Sequence, residues 1–120
     1  MLFRSPHLAE WDRTLLKDKE LVELSLYHAK EAYRQGVEGV LYETNLLAKD
    51  WGFDVNEING PVRIWHGEKD TLSPVGEVTK LAQRLPSCEV SLIPEGGHFL
   101  TENEELWIDM LAYLDRKSVV

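Results

Sequence analysis

The sequence predicts an α/β fold, because a helical first half is followed by a second half in which β-rich and helical stretches alternate. Pro61-Val62-Arg63-Ile64-Trp65 and Glu89 to Ile93 read as short strands. Between them Val75, Val78, Leu81, Ala82 and Leu85 recur every three or four residues, the spacing of one helix face. Strand, helix, strand, helix in that order implies a right-handed crossover, and hence a parallel sheet.

Taken from the start, a first short helix is expected from Leu8 to Leu16, with Ser5-Pro6 as its start signal. A second runs from Asp18 to Gly36. It places Val22, Leu26, Ala29 and Tyr33 on one apolar face, and Gly36 serves as its stop. A third, Val37 to Ala48, carries Val40, Leu41, Tyr42 and Leu47, and is followed by the aromatic loop Asp50-Trp51-Gly52-Phe53-Asp54. Composition changes at Asn59-Gly60-Pro61, which divides the chain into residues 1–58 and 59–120. In the second part, the strand 61–65 ends at His66-Gly67. A helix from Pro74 to Leu85 has proline in its first turn and stops at Pro86. The second strand breaks at Pro94-Glu95-Gly96-Gly97. A last helix, Glu102 to Asp115, sets Leu106, Met110, Tyr113 and Leu114 on one side, and its acidic start suits the helix dipole.

Two strands do not make a finished sheet. A parallel pair leaves unpaired edges and needs cover on both faces, so further strands belong upstream or come from another copy of the chain.

Composition narrows the function classes. The chain is 43% hydrophobic and 28% charged with no low-complexity run, so it reads as globular rather than disordered. A net charge of −8 argues against nucleic acid as a partner, since phosphate binding is driven by basic residues. No apolar stretch approaches the ~18–20 residues of a membrane span. Met1-Leu2-Phe3-Arg4-Ser5-Pro6 has no signal-like apolar run, so no membrane association and a cytoplasmic location are expected. Cys88 is the single cysteine, opens a strand, and reads as a packing residue. The histidines are scattered without a metal-ligand spacing, so neither a metal nor another cofactor is expected.

Chemistry is expected where parallel strands end, because functional groups of open α/β sheets gather beyond the C-terminal ends of the strands. Asp70, in His66-Gly67-Glu68-Lys69-Asp70, follows the first strand, and His98, in Glu95-Gly96-Gly97-His98-Phe99, follows the second. Loops leaving adjacent parallel strands emerge on the same side, so a carboxylate and an imidazole can meet there. Such a carboxylate fixes the imidazole tautomer and stabilises the imidazolium formed when the ring acts as a base.

Pro61-Val62-x-Ile64-Trp65-His66-Gly67-x-x-Asp70-x-x-x-Pro74, then Leu81-Ala82-x-x-Leu85-Pro86, then Gly96-Gly97-His98-Phe99 resembles the C-terminal signature of the α/β-hydrolase superfamily. The likeness covers residues 60–115 closely. More loosely, the leading helices with Gln35-Gly36-x-x-Gly39 and Trp51-Gly52-Phe53 resemble cap helices. The resemblance implies a partial α/β-hydrolase fold: cap-like helices over 1–58, then a β-α-β-α unit with a two-stranded parallel segment. It also implies Asp70 as the triad acid and His98 as the triad histidine.

The family's G-x-S-x-G nucleophile elbow has no counterpart here. Ser5, Ser25, Ser73, Ser87, Ser91 and Ser118 all lack the flanking glycines, and Ser73 reads as a helix cap before Pro74. The chain is therefore expected to be a truncated hydrolase-like protein, inactive alone and associating with itself. The alternative is an esterase- or peptidase-like serine hydrolase whose nucleophile comes from a missing N-terminal half or a partner chain and which acts on a small ester or amide. The family also includes members with an aspartate nucleophile, so the reaction stays open. His66 reads as structural, and Trp51, Phe53 and Trp65 as core rather than pocket lining.

Overall fold

A computed structural model describes residues 7–117; the Ser5-Pro6 start signal lies outside them. Five helices and two strands follow one another as α1 (Glu10–Leu15), α2 (Lys19–Ala32), α3 (Glu38–Leu47), β1 (Val62–Gly67), α4 (Val75–Arg84), β2 (Cys88–Ile93) and α5 (Glu104–Lys117). The fold class is α/β. β1 and β2 pair in parallel, in register from Val62 opposite Cys88 to Gly67 opposite Ile93.

Local chemistry explains the element ends. The Asp18 side chain accepts the backbone N–H groups of Glu20 and Leu21 and so starts α2. That helix stops at Ala32, short of the expected Gly36, with Tyr33 as its C-cap. Ser73 does not cap α4. Pro74 holds the cap position without a side-chain bond, while Ser73 spends its backbone N–H on Asp70 and its carbonyl on His66. α5 begins at Glu104 rather than Glu102, because residues Leu100–Glu102 form a separate 3-10 turn. The Asn103 side chain then accepts the Leu106 N–H as the cap. β1 is longer than expected and keeps His66 and Gly67 inside the ladder.

α4 crosses both strands and rests on the 3-10 turn Val55–Glu57, where Arg84 reaches Asp54 at 3.0 Å. Arg63 and Trp65 share one face of β1. There Tyr113 of α5 meets the Trp65 ring edge-on at 5.3 Å, and the Arg63 guanidinium lies over both rings at 5.4 and 5.1 Å.

The buried interior is small. Among the described residues the buried hydrophobic side chains are Leu8, Ala9, Leu100 and Met110, and the buried polar ones are Asp12 and Asp70. The expected apolar faces of α2 and α3 are largely open: Val22 and Val40 are half-buried, but Leu26, Tyr33, Leu41, Tyr42 and Leu47 are all exposed. Trp51 and Phe53 are not core, contrary to expectation: both residues are more than half exposed, and the Trp51 indole donates to the Leu47 carbonyl at 3.2 Å to close α3. Trp65 is half-buried. The chain exposes 9671 Å², whereas a folded monomer of its 13.8 kDa is expected to expose about 6600 Å².

Candidate active site

The end of the two-stranded ladder brings the two expected residues together. The turn after β1 is folded by Asp70 itself, whose Oδ1 accepts the backbone N–H groups of Leu72 and Ser73 at 2.8 and 2.9 Å. The turn after β2 runs through Glu95, which holds a left-handed φ of 57°, and then Gly96 and Gly97. The two turns touch. Lys69 N–H donates to the Gly96 carbonyl at 2.9 Å, and a side chain on Gly67 would strike the Gly96 and Gly97 carbonyls. Only glycine at position 67 lets the loops close to this distance.

Across that junction His98 Nδ1 lies 2.9 Å from Asp70 Oδ2. The carboxylate accepts the Nδ1 proton, so in the neutral ring Nε2 keeps its lone pair and can act as a base. Asp70 is almost enclosed, whereas 38% of the His98 side chain is open to solvent. Burial by itself raises the Asp70 carboxyl. The backbone N–H of Ser73, the His98 ring and the N–H of Leu72 together outweigh burial and hold it below the usual aspartate value.

His66 lies beside the pair. Its Nε2 donates to the Ser73 carbonyl at 2.8 Å and stands 3.6 Å from Asp70 Oδ2. Its ring therefore ties β1 to the start of α4. The hollow in front of the pair is open, about 410 Å³, and is lined by Trp65, Val78, Leu100 and Met110 together with the hydroxyl-bearing Ser73 and Thr101. Among the described residues, no hydrogen bond joins a serine or threonine hydroxyl to the His98 ring. No cluster of three or more histidine, cysteine or carboxylate groups there is placed to hold a metal ion. None of the described helices is long and apolar enough to cross a membrane.

One residue at the site escaped the sequence reading. Asp12 of α1 is fully buried, and its carboxylate accepts the backbone N–H groups of His98 at 3.1 Å and Phe99 at 3.0 Å. Trp11 adds its indole N–H to the Phe99 carbonyl at 3.1 Å. A signal was present: Leu8, Asp12 and Leu16 fall four apart, which puts an acid in the middle of an apolar helix face.

Comparison with known proteins gives a partial match. A segment of 53 residues, 44% of the chain, is 32% identical to a pimeloyl-[acyl-carrier protein] methyl ester esterase of Nitrosomonas europaea. The match spans 21% of that esterase's length. No family model matches the chain, and no solved structure matches it.

Proposed function

We propose that this chain carries the acid and histidine of an α/β-hydrolase-type site, with Asp70 orienting His98 for general-base chemistry on an ester or amide. The observation that carries the proposal is the 2.9 Å contact between His98 Nδ1 and Asp70 Oδ2 at the ends of two paired parallel strands. The partial likeness to an esterase supports hydrolase ancestry and favours esters over other substrates. Residues 1–58 then act as a cap-like segment, and 59–120 as the last β-α-β-α unit of the core.

In the full reaction, His98 Nε2 takes the proton of an attacking hydroxyl as its oxygen bonds to the substrate carbonyl carbon. It returns that proton to the leaving oxygen or nitrogen when the tetrahedral intermediate collapses. With no nucleophile elbow in the sequence, the chain alone performs none of these steps. Its surface exceeds that of a folded monomer by about 3000 Å², which is on the scale of an obligate interface and supports association of the chain with itself.

The experiment is hydrolysis of p-nitrophenyl acetate by the purified chain beside His98→Ala, with mass measured by sedimentation. Equal, near-background rates and a mass of two chains or more are expected. A rate abolished in His98→Ala would overturn inactivity, and a stable monomer would overturn self-association. The 21% coverage of the esterase favours a second reading, in which other polypeptide supplies the nucleophile. Under it, a serine-reactive fluorophosphonate labels only the reconstituted pair.

A further inference from the structure

We infer that Asp12 is the positioning residue of the acid–histidine pair: its carboxylate fixes the backbone at His98 and so sets where the imidazole meets Asp70. The inference rests on reading Asp70 and His98 as a general-base pair.

A fully enclosed carboxylate is costly unless its oxygens are satisfied. The neighbouring cation does not serve it, since Arg13 turns to Glu10 at 2.8 Å. The compensation comes instead from two successive backbone N–H groups, those of His98 and Phe99, one for each carboxylate oxygen. Two consecutive N–H groups thus converge on one anion, and here the anion is a side chain of the same polypeptide. Gly97 lies so close that any side chain there would run into the Asp12 carboxylate. The Trp11 indole takes the carbonyl of Phe99. Three polar groups of the loop are thus held from α1.

The ring's own holds are its bond to Asp70 and an edge-on contact with Phe99 at 5.2 Å. With 38% of its side chain in solvent, His98 is not locked by packing, and its position follows from where the backbone presents it. Within the loop, backbone bonds fasten Gly96 to Ile93 and Leu100 to the His98 carbonyl. The N–H groups of His98 and Phe99, however, are held by Asp12, after two glycines that leave the chain conformationally free. Releasing Asp12 therefore frees the backbone first and the Asp70 contact second.

The test is nuclear magnetic resonance on the whole chain, ¹⁵N-labelled, compared with Asp12→Asn, Trp11→Phe and Asp70→Asn. In the unaltered chain the His98 and Phe99 amides should be protected from exchange, and the His98 ring should hold its proton on Nδ1. Asp12→Asn should speed exchange of both amides by about ten- to a hundredfold, the range expected for bonds to a charged acceptor. It should also return the His98 ring to the tautomer mixture of free imidazole, while the His66 ring signals stay put. Trp11→Phe, a milder change that keeps the test decisive if Asp12→Asn does not fold, should move the same signals less. Freely exchanging His98 and Phe99 amides in the unaltered chain would overturn the inference. So would an unchanged His98 ring in a folded Asp12→Asn or, failing that, in Trp11→Phe. Asp70→Asn should release the ring but leave the amides protected. A free-imidazole tautomer already present in the unaltered chain, with both amides protected, would instead defeat the acid–histidine reading itself and leave Asp12 a loop anchor.

Discussion

Asp70 faces two imidazoles, yet only His98 bonds to it: Nδ1 of His98 stands 2.9 Å from Oδ2, while Nε2 of His66 stands 3.6 Å away and is committed to the Ser73 carbonyl. The division of labour follows from register. His66 lies within the ladder opposite Leu92, whereas His98 lies beyond it, in the turn that follows β2.

His66→Gln should therefore cost the fold but not the pair. Losing the bond to Ser73 is expected to lower stability by about 1 kcal/mol, read by urea denaturation. The His98 ring should keep its proton on Nδ1, read from ring ¹⁵N shifts. Loss of that tautomer in His66→Gln would mean that His66 helps to orient the pair.

The lowered Asp70 carboxyl makes stability depend on pH in a definite direction. Ionised Asp70 is favoured in the folded chain over the unfolded one, so its contribution is complete above the ordinary aspartate value of about 3.9. It disappears as pH falls through the lower folded value. Thermal melts between about pH 7 and about pH 2 should show this loss, and Asp70→Asn should flatten that part of the profile. An Asp70→Asn profile parallel to the parent's throughout would contradict the assignment.

Two glycines set how closely the loops approach. A methyl group at Gly67 meets backbone carbonyls, and one at Gly97 meets the Asp12 carboxylate. Gly67→Ala and Gly97→Ala should each destabilise by about 1–3 kcal/mol. Gly76→Ala, where added atoms meet open space within α4, should be neutral or stabilising. Denaturation midpoints of the three variants test the order.

Glu95 holds a left-handed backbone at φ 57°, an arrangement that costs a residue with a side chain about 1–2 kcal/mol. Its ion pair with Lys69, at 3.5 Å between two exposed side chains, offsets little of that. Glu95→Gly is expected to raise the melting temperature, and a drop would show that the Glu95 side chain contributes more than its exposure suggests.

The parts of this protein written in short-range patterns were legible in its sequence. Val75 to Leu85 announced α4 by period, and the two strands announced themselves by β-rich runs between proline and glycine. Position at strand ends was enough to bring Asp70 and His98 forward as candidates, and the structure sets them side by side. What the sequence concealed depends on distant partners. Asp12 acquires its meaning only from two N–H groups more than 80 positions away. Trp51 and Phe53 looked like core because large aromatic rings usually are, but a chain that closes so little interior leaves them outside. Ser73 resembled a cap, but Asp70 captured its N–H group.

The bond from Asp12 to His98 spans 86 positions, whereas the β1–α4–β2 crossover pairs residues 26 positions apart, as Val62 with Cys88. Loop-closure entropy delays the longer connection, so the crossover and its Asp70 turn can assemble before α1 arrives. On the reading that Asp12 positions His98, the histidine is then the last part of the site to be seated. Its alignment reports that the helical leader and the sheet have found each other, which makes the imidazole an internal gauge of completed folding.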